Sequence, residues 1–539
     1  MTKKLFLLFS LLILIPIFGC NKECKHEFLE ATCVNKEKCI KCGLEQGLPL
    51  GHDFLEATID KPMTCKRCGI TSGDPIKKHE HEFLEPTCIL PKRCECGYEE
   101  GEALGHIEKT IFPDDAECLI PVMAMIKCER CHEVLEEKEI EKPHNMYEET
   151  IEPTCTEHGK IYTKCDDCGY YKQKVLLALG HKYEYVIDKE ASKSSYGVRH
   201  KECMNCHKSE NKVAYVLNGF SSHGKLSVKG ADLVDKNGDK FQLVGLSTHG
   251  LQWFGKYVNY ETFESLRNGF GINVIRLSLY TSEDGYCVVS KARREELFEL
   301  VCRGIDFATS LDMYVVVDWH MLGAEDPNDR NPLYYMQEAL EFFRRITSKY
   351  SQNENILFDI MNEPSGPVSW DDCKKYAENV ITEIRKNSDG IVIVGNPKWS
   401  ADLESVMASP LEGFNNIMYS YHFYAGDKTN ASSIIKAYEK GFPVFVSEHG
   451  GMENTGDGMI YYDYINKWYE DLNKLNISYI AWNISSSKGS ASIFKYNSND
   501  YISVDDDNLK EWGIFYRNYV RKLFNLPSYG VLLWVKMLD

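Results

Sequence analysis

The chain has 539 residues, 43% of them hydrophobic and 12% aromatic, with a formal net charge of -18. This length accommodates two or more domains and a large core. The negative charge excludes a nucleic acid or an anionic membrane surface as partner, because both require a basic face.

Lys3 and Lys4 precede an apolar run from Leu5 to Phe18, closed by Gly19 and Cys20. A basic start, a short apolar stretch and a small residue before the cut make a secretory signal. The run is shorter than the roughly 20 apolar residues of a spanning helix. Its ending, Ile17-Phe18-Gly19-Cys20, resembles a bacterial lipoprotein signal, with Phe18 in place of the usual small or aliphatic residue. The resemblance implies a signal segment over residues 1–20, Cys20 as the lipidated first mature residue, and membrane contact only through that lipid. The alternative is plain cleavage and secretion.

Residues 21–212 form an array of Cys/His-rich repeat modules. His26-Glu-Phe-Leu-Glu-Ala-Thr-Cys33 recurs from His52 to Ile59 and from His81 to Cys88. Cysteine pairs follow at Cys39/Cys42, Cys65/Cys68 and Cys94/Cys96, and Leu-Gly-His closes units at His52, His106 and His181. Divergent units carry Cys118/Cys128/Cys131, Cys155/Cys165/Cys168 and Cys203/Cys206; Cys24 is unassigned. A fixed period marks an array of small modules, each too short to hold itself together by apolar burial. One His and three Cys within each complete unit suit a structural zinc site. Ile59 in place of the first cysteine of the second unit weakens that reading, and export permits disulfides, so zinc and disulfides both stand. The array resembles cysteine-rich repeats of bacterial surface proteins, which implies a spacer or attachment arm. It holds no catalytic set.

From about Ser221 cysteine thins out and eight apolar runs appear: FQLVGLSTHG, INVIRLSLY, MYVVVDWH, NILFDIMNEP, GIVIVGNP, IMYSYHFYAG, FPVFVSEHG and SYIAWNISSS. Helical stretches such as Arg293–Ser310, Leu333–Tyr350 and Trp370–Asn387 lie between them. Strand–helix alternation over residues 221–527 predicts an α/β fold, a (β/α)8 TIM barrel, with a tail at 528–539. Arg276, His320, Glu363, His422, Glu448 and Trp482 fall at the ends of the runs, where such a barrel carries its chemistry. Two carboxylates at strand ends, Glu363 in Asn-Glu-Pro and Glu448 in Ser-Glu-His-Gly, are what glycosidic-bond hydrolysis requires.

The segment from Gly224 to about Leu526 resembles glycoside hydrolase family 5, most closely its bacterial endoglucanase branch. The motifs NVIRLSLYTSEDGY, VVVDWH, MNEP, YSYHFYAG and VFVSEHG come in the family's order. The resemblance implies a retaining endo-β-1,4-glucanase with Glu363 as acid/base, Glu448 as nucleophile and no cofactor for catalysis. It implies Arg276, His320, Asn362, His422 and Tyr424 as active-site support. His249, Trp253, Tyr280, Trp399, Trp482 and Lys488 would meet the sugar, with packing the alternative role for Trp399. Asp318 reads as structural. After Trp482 the family's lysine comes one place late, at Lys488, and Ser490 replaces its acidic residue, which bears on the distal sugar contact. Mannan, xyloglucan and mixed-linkage glucan are the alternative substrates. A non-catalytic glucan-binding or adhesion protein is the alternative of another class. The expected partner is a polysaccharide and the expected state a monomer.

Overall fold

The computed structural model describes residues 25–58, 60–76, 80–498 and 503–530. Cys20, Cys24, Ile59 and most of the expected tail therefore lie outside the described residues. None of the described helices is long and apolar enough to cross a membrane. The chain divides into two compact units, one of residues 1–151 and 160–174, the other of residues 152–159 and 175–539.

The modules are three-stranded sheets, beginning with Phe28–Leu29, Glu37–Cys39 and Glu45–Gln46 and ending with Tyr183–Lys189, Gly197–Cys203 and Val213–Tyr215. The residue after each cysteine pair is left-handed: Gly43, Gly69, Gly97 and Gly169, with His132 and His207 in two modules. This conformation turns the chain sharply, so that Gly69 N donates to Cys65 O at 2.9 Å, and glycine adopts it without steric cost.

Eight parallel strands close the barrel in chain order. They are β1 (Val244–Thr248), β2 (Val274–Tyr280), β3 (Tyr314–His320), β4 (Ile356–Asp359), β5 (Val392–Val394), β6 (Ile417–Tyr424), β7 (Val444–Gly450) and β8 (Tyr479–Ile484). A helix follows each: α1 (Tyr260–Phe270), α2 (Lys291–Ser310), α3 (Met336–Lys349), α4 (Trp370–Ile384), α5 (Leu403–Ala408), α6 (Ser432–Glu439), α7 (Tyr462–Lys474) and α8 (Glu511–Leu523). The three helices read from sequence are all present, within a few residues of their expected ends. Local caps start several of them. Asn259 accepts from Thr262 N, Ser290 from Arg293 N, and Ser369 forms a reciprocal box with Asp372, satisfying backbone donors that helix geometry orphans.

Alternation along the strands positions the site. On β2, Val274, Arg276, Ser278 and Tyr280 share one face; on β3, Tyr314, Val316, Asp318 and His320 do. The strand beginnings fill the barrel interior with Val274, Tyr314, Leu357, Ile393, Met418, Phe445 and Ile480, joined by Leu226, Leu233 and Phe241 from the hairpin region beneath. Further along the same inward faces the residues become polar. The apolar plug therefore closes the strand N-terminal end and leaves the chemistry at the C-terminal end.

The last module belongs to the barrel's unit, although the composition changes only after residue 212. Its Tyr185 hydroxyl donates to Glu264 on α1 at 2.8 Å and accepts from Asn268 at 2.8 Å. Arg199 donates to Asn268 at 3.1 Å and stacks over the Tyr185 ring, and Lys201 pairs with Glu264.

Candidate active site

Arg276 is the centre of the site. It is fully buried, with Nη2 3.0 Å from Asp359, 3.1 Å from Asp318 and 2.7 Å from Asn362 Oδ1, and Nη1 3.2 Å from Glu448. A buried guanidinium needs such compensation, and its planar fork reaches several carboxylates at once. Burial pushes Asp318 up to about 6 and Asp359 up to about 7 while Arg276 opposes the shift.

The hydrogen bonds fix the state of His320. Asn362 Oδ1 accepts from Arg276, so its amide nitrogen donates to His320 Nε2 at 3.3 Å and to Met321 O at 3.2 Å. His320 Nδ1 must then carry the proton and donate to Asp318 at 2.7 Å. This tautomer is that of a neutral ring, and burial beside Arg276 holds His320 well below the usual imidazole range.

The two glutamates meet different surroundings. Glu448 accepts from the Tyr424 hydroxyl at 2.7 Å and from Arg276 at 3.2 Å, two donors that favour and orient a carboxylate. Glu363 lies 2.8 Å from His422 Nδ1, whose other nitrogen is 3.0 Å from Ser447 Oγ. Burial pushes Glu363 up to about 8, with Arg276 opposing and Asp318 adding to the shift. Burial also lowers His422, so this pair is a protonated carboxyl against a neutral ring. One carboxyl, just after β4, faces a histidine, and the other, on β7, faces an arginine and a tyrosine hydroxyl, both at one barrel mouth.

Aromatic rings line one side. His249 lies 5.1 Å from Trp482, 5.7 Å from Trp253 and 6.0 Å from Tyr280, and Tyr280 stacks on His320 at 4.2 Å. Trp253 is 42% exposed, so its ring is available to a ligand. Trp399 stands 56% exposed on a turn whose backbone N donates to Pro364 O at 3.0 Å. That exposure argues against packing as its role. Lys488 is placed differently, with its ammonium 5.3 Å over the Tyr496 ring beside a surface hollow shared with Asp457 and Lys510.

Sequence reasoning missed Asp359 and Ser447. Asp359 shares the inward face of β4 with Leu357, a parity that the sequence does carry. Ser447 bonds Ser420 at 2.6 Å as well as His422; it stands inside the motif VFVSEHG, beside Glu448, without a role read for it there.

Comparison with known proteins agrees with this geometry. Residues 234–488 match the family model described as cellulase, glycosyl hydrolase family 5. Endoglucanase A of Butyrivibrio fibrisolvens is 40% identical over 305 residues, covering 56% of this chain and 70% of that protein. Cellulase CelDZ1 of a Thermoanaerobacterium species is 37% identical over 300 residues, covering 52% of this chain and 74% of its own length. Among solved structures, the catalytic domain of Thermobifida fusca endoglucanase Cel5A, in a complex with cellotetraose, superposes with a TM-score of 0.52 at 32% identity, covering 56% of this chain and 99% of that domain. The alkaline cellulase K catalytic domain does so with a TM-score of 0.51 at 31% identity, covering 58% and 97%. With its barrel, its paired glutamates and these relatives, the chain belongs to glycosyl hydrolase family 5.

Proposed function

We propose that the barrel is an endo-β-1,4-glucanase that works by retaining double displacement. The observation that carries this reading is the unlike setting of the two carboxyls, Glu363 buried against His422 and Glu448 held by the Tyr424 hydroxyl and Arg276. Glu448 attacks the anomeric carbon as the glycosidic C–O bond breaks, and the Glu363 proton passes to the departing oxygen. Water then gives its proton to Glu363, and its oxygen displaces Glu448, restoring both groups. Arg276 and Tyr424 hold the nucleophile in line and spread its charge. His249, Trp253, Tyr280, Trp482 and Trp399 offer ring faces to successive glucose units. The endoglucanase and cellulase names of the relatives support β-1,4-glucan as the substrate.

The test is a panel of cellulose derivatives, mannan, xyloglucan and mixed-linkage glucan, read by reducing ends, with proton NMR of the first products. Endo-cleavage of the cellulose derivative with the β anomer appearing first is the expected result. Early α anomer would overturn the mechanism, and strong preference for mannan the substrate.

The basic-apolar leader ending in Gly19-Cys20 supports export with a lipid anchor at Cys20; labelled fatty acid that fails to enter the wild-type chain would defeat the anchor. For the array, the reading is structural zinc. Four Cys3His groups each gather their ligand atoms within 4.8 Å of one another, and a set of four protein ligands leaves no open position for catalysis.

A further inference from the structure

The grouping of these ligands departs from the modular expectation. Cys33 does not close a set with His26, Cys39 and Cys42 of its own module. It joins His52, Cys65 and Cys68 of the next. The same shift recurs in Cys88 with His106, Cys128 and Cys131, in Cys118 with His144, Cys165 and Cys168, and in Cys155 with His181, Cys203 and Cys206. We infer that each zinc ion is a pin between successive modules, taking one thiolate from the module before and three ligands from the module after. This rests on the zinc reading above and adds to it which residues share an ion.

Distances within the groups fit a tetrahedral ion. Zn–S bonds of about 2.3 Å place two sulfurs about 3.8 Å apart across a tetrahedral edge. The sulfur pairs Cys33–Cys65, Cys88–Cys128, Cys118–Cys165 and Cys155–Cys203 are separated by 3.9, 3.6, 3.7 and 3.7 Å. A disulfide would need about 2.05 Å.

The backbone supports the shift independently of the ligands. Leu50 N and Gly51 N, just before His52, donate to Thr32 O and Cys33 O at 2.9 and 3.1 Å. Leu104 N donates to Thr87 O, and Leu179 N and Gly180 N donate to Thr154 O and Cys155 O. The Leu-Gly-His segment of one module is thus laced to the Thr-Cys segment of the module before it. Arg67, between Cys65 and Cys68, donates to Leu50 O at 2.7 Å, and Arg130, between Cys128 and Cys131, donates to Leu104 O at 2.6 Å. Where Leu-Gly is replaced by Lys142-Pro143, the arginine is replaced by Asp167, and Lys142 pairs with Asp167 at 3.0 Å. The chemistry is exchanged and the tie between segments is kept.

The array is then a series of pinned links, and loss of one cysteine should be felt one module downstream. The experiment uses the full zinc-loaded chain, with metal content measured and each cysteine's alkylation rate mapped by peptide mass spectrometry. At least four zinc ions per chain are expected. Cys33→Ser should lose one ion and alkylate Cys65 and Cys68 about tenfold faster or more, with Cys39 and Cys42 unchanged. Cys118→Ser should likewise expose Cys165 and Cys168 and spare Cys128 and Cys131. Unaltered tryptophan emission in each variant shows that the barrel remains folded. Exposure of Cys39 and Cys42, or of Cys128 and Cys131, would keep the metal and overturn the pins. Absence of zinc, with Cys33 bonded to Cys65 or Cys68, would overturn the metal and so this proposal, while preserving the cross-module pairing.

Discussion

The protonation of Glu363 has a stability consequence that can be measured apart from catalysis. Its carboxyl is pushed from 4.5 to about 8 in the folded barrel. Below pH 4.5 the group is protonated both folded and unfolded, and its burial carries no charge penalty. Between pH 4.5 and 8 the unfolded chain releases the proton while the fold retains it, so stability falls as pH rises; above 8 the loss is complete. Three to four pH units at about 1.4 kcal/mol each give an upper figure of about 5 kcal/mol. Glu363→Gln removes the titration and keeps an amide beside His422. The variant should therefore gain on wild type by about 2–5 kcal/mol between pH 5 and pH 9. Urea unfolding followed by tryptophan emission is the assay. All eight tryptophans lie at Trp253 or beyond, so the array contributes no signal. A difference between the proteins that does not change with pH would mean that Glu363 is already ionised in the fold, and the acid role would fall with it.

Three other outcomes are expected. Glu448→Gln should lower turnover by about four orders of magnitude or more on every substrate, whereas Glu363→Gln should retain fast glycosylation from an aryl glucoside whose leaving group needs no proton; equal losses with both substrates would refute the division of roles. Tyr424→Phe removes one charge-assisted hydrogen bond to Glu448, so kcat/KM should fall about 10–100-fold with the fold intact, and an unchanged value would show that Arg276 alone suffices. A chain begun at Ser221 loses the contacts of Tyr185, Arg199 and Lys201 with Glu264 and Asn268. Its melting temperature should be several degrees below that of a chain begun at Glu152, consistent with a loss of about 1–3 kcal/mol, with kcat the same in both.

Much of the barrel is legible because its strands are buried on both faces and its helices on one, so the sequence alternates between short apolar runs and longer amphipathic stretches. Polar residues at run ends then stand out, as Glu363 and His320 do, whereas Arg276 is the third of seven residues in β2 and stands out as a charge inside an apolar run. Asp359 was hidden among apolar neighbours, yet its parity with Leu357 turns it inward, and an inward carboxylate there needs Arg276. Ser447 was not recoverable by parity. The pairing register shifts between Ser420 and His422 and again between Val446 and His449. A bulge breaks the period of two on which facing is inferred, and nothing in the local sequence marks it. Lys488 was placed by motif order, but the chain after Trp482 is knotted by Ser485, Ser487 and Ser492, and the late lysine ends over Tyr496.

The array shows a different limit. A repeat read along the chain groups ligands by nearness in sequence, and Cys33 is far nearer Cys39 than Cys65. Metal chemistry does not count residues; it requires four donors at tetrahedral edges. Cys33 sits in the loop before the strand that ends at Cys39, and its sulfur groups with the ligands of the next module. The Leu-Gly segment of the next module donates both its backbone N–H groups to Thr32 O and Cys33 O, and its left-handed glycine, Gly51 at φ 68°, precedes the histidine that groups with Cys33. The repeated Leu-Gly-His was therefore the joint between modules, and the ligand taken as the first of each unit is the last of the connection to the one that follows.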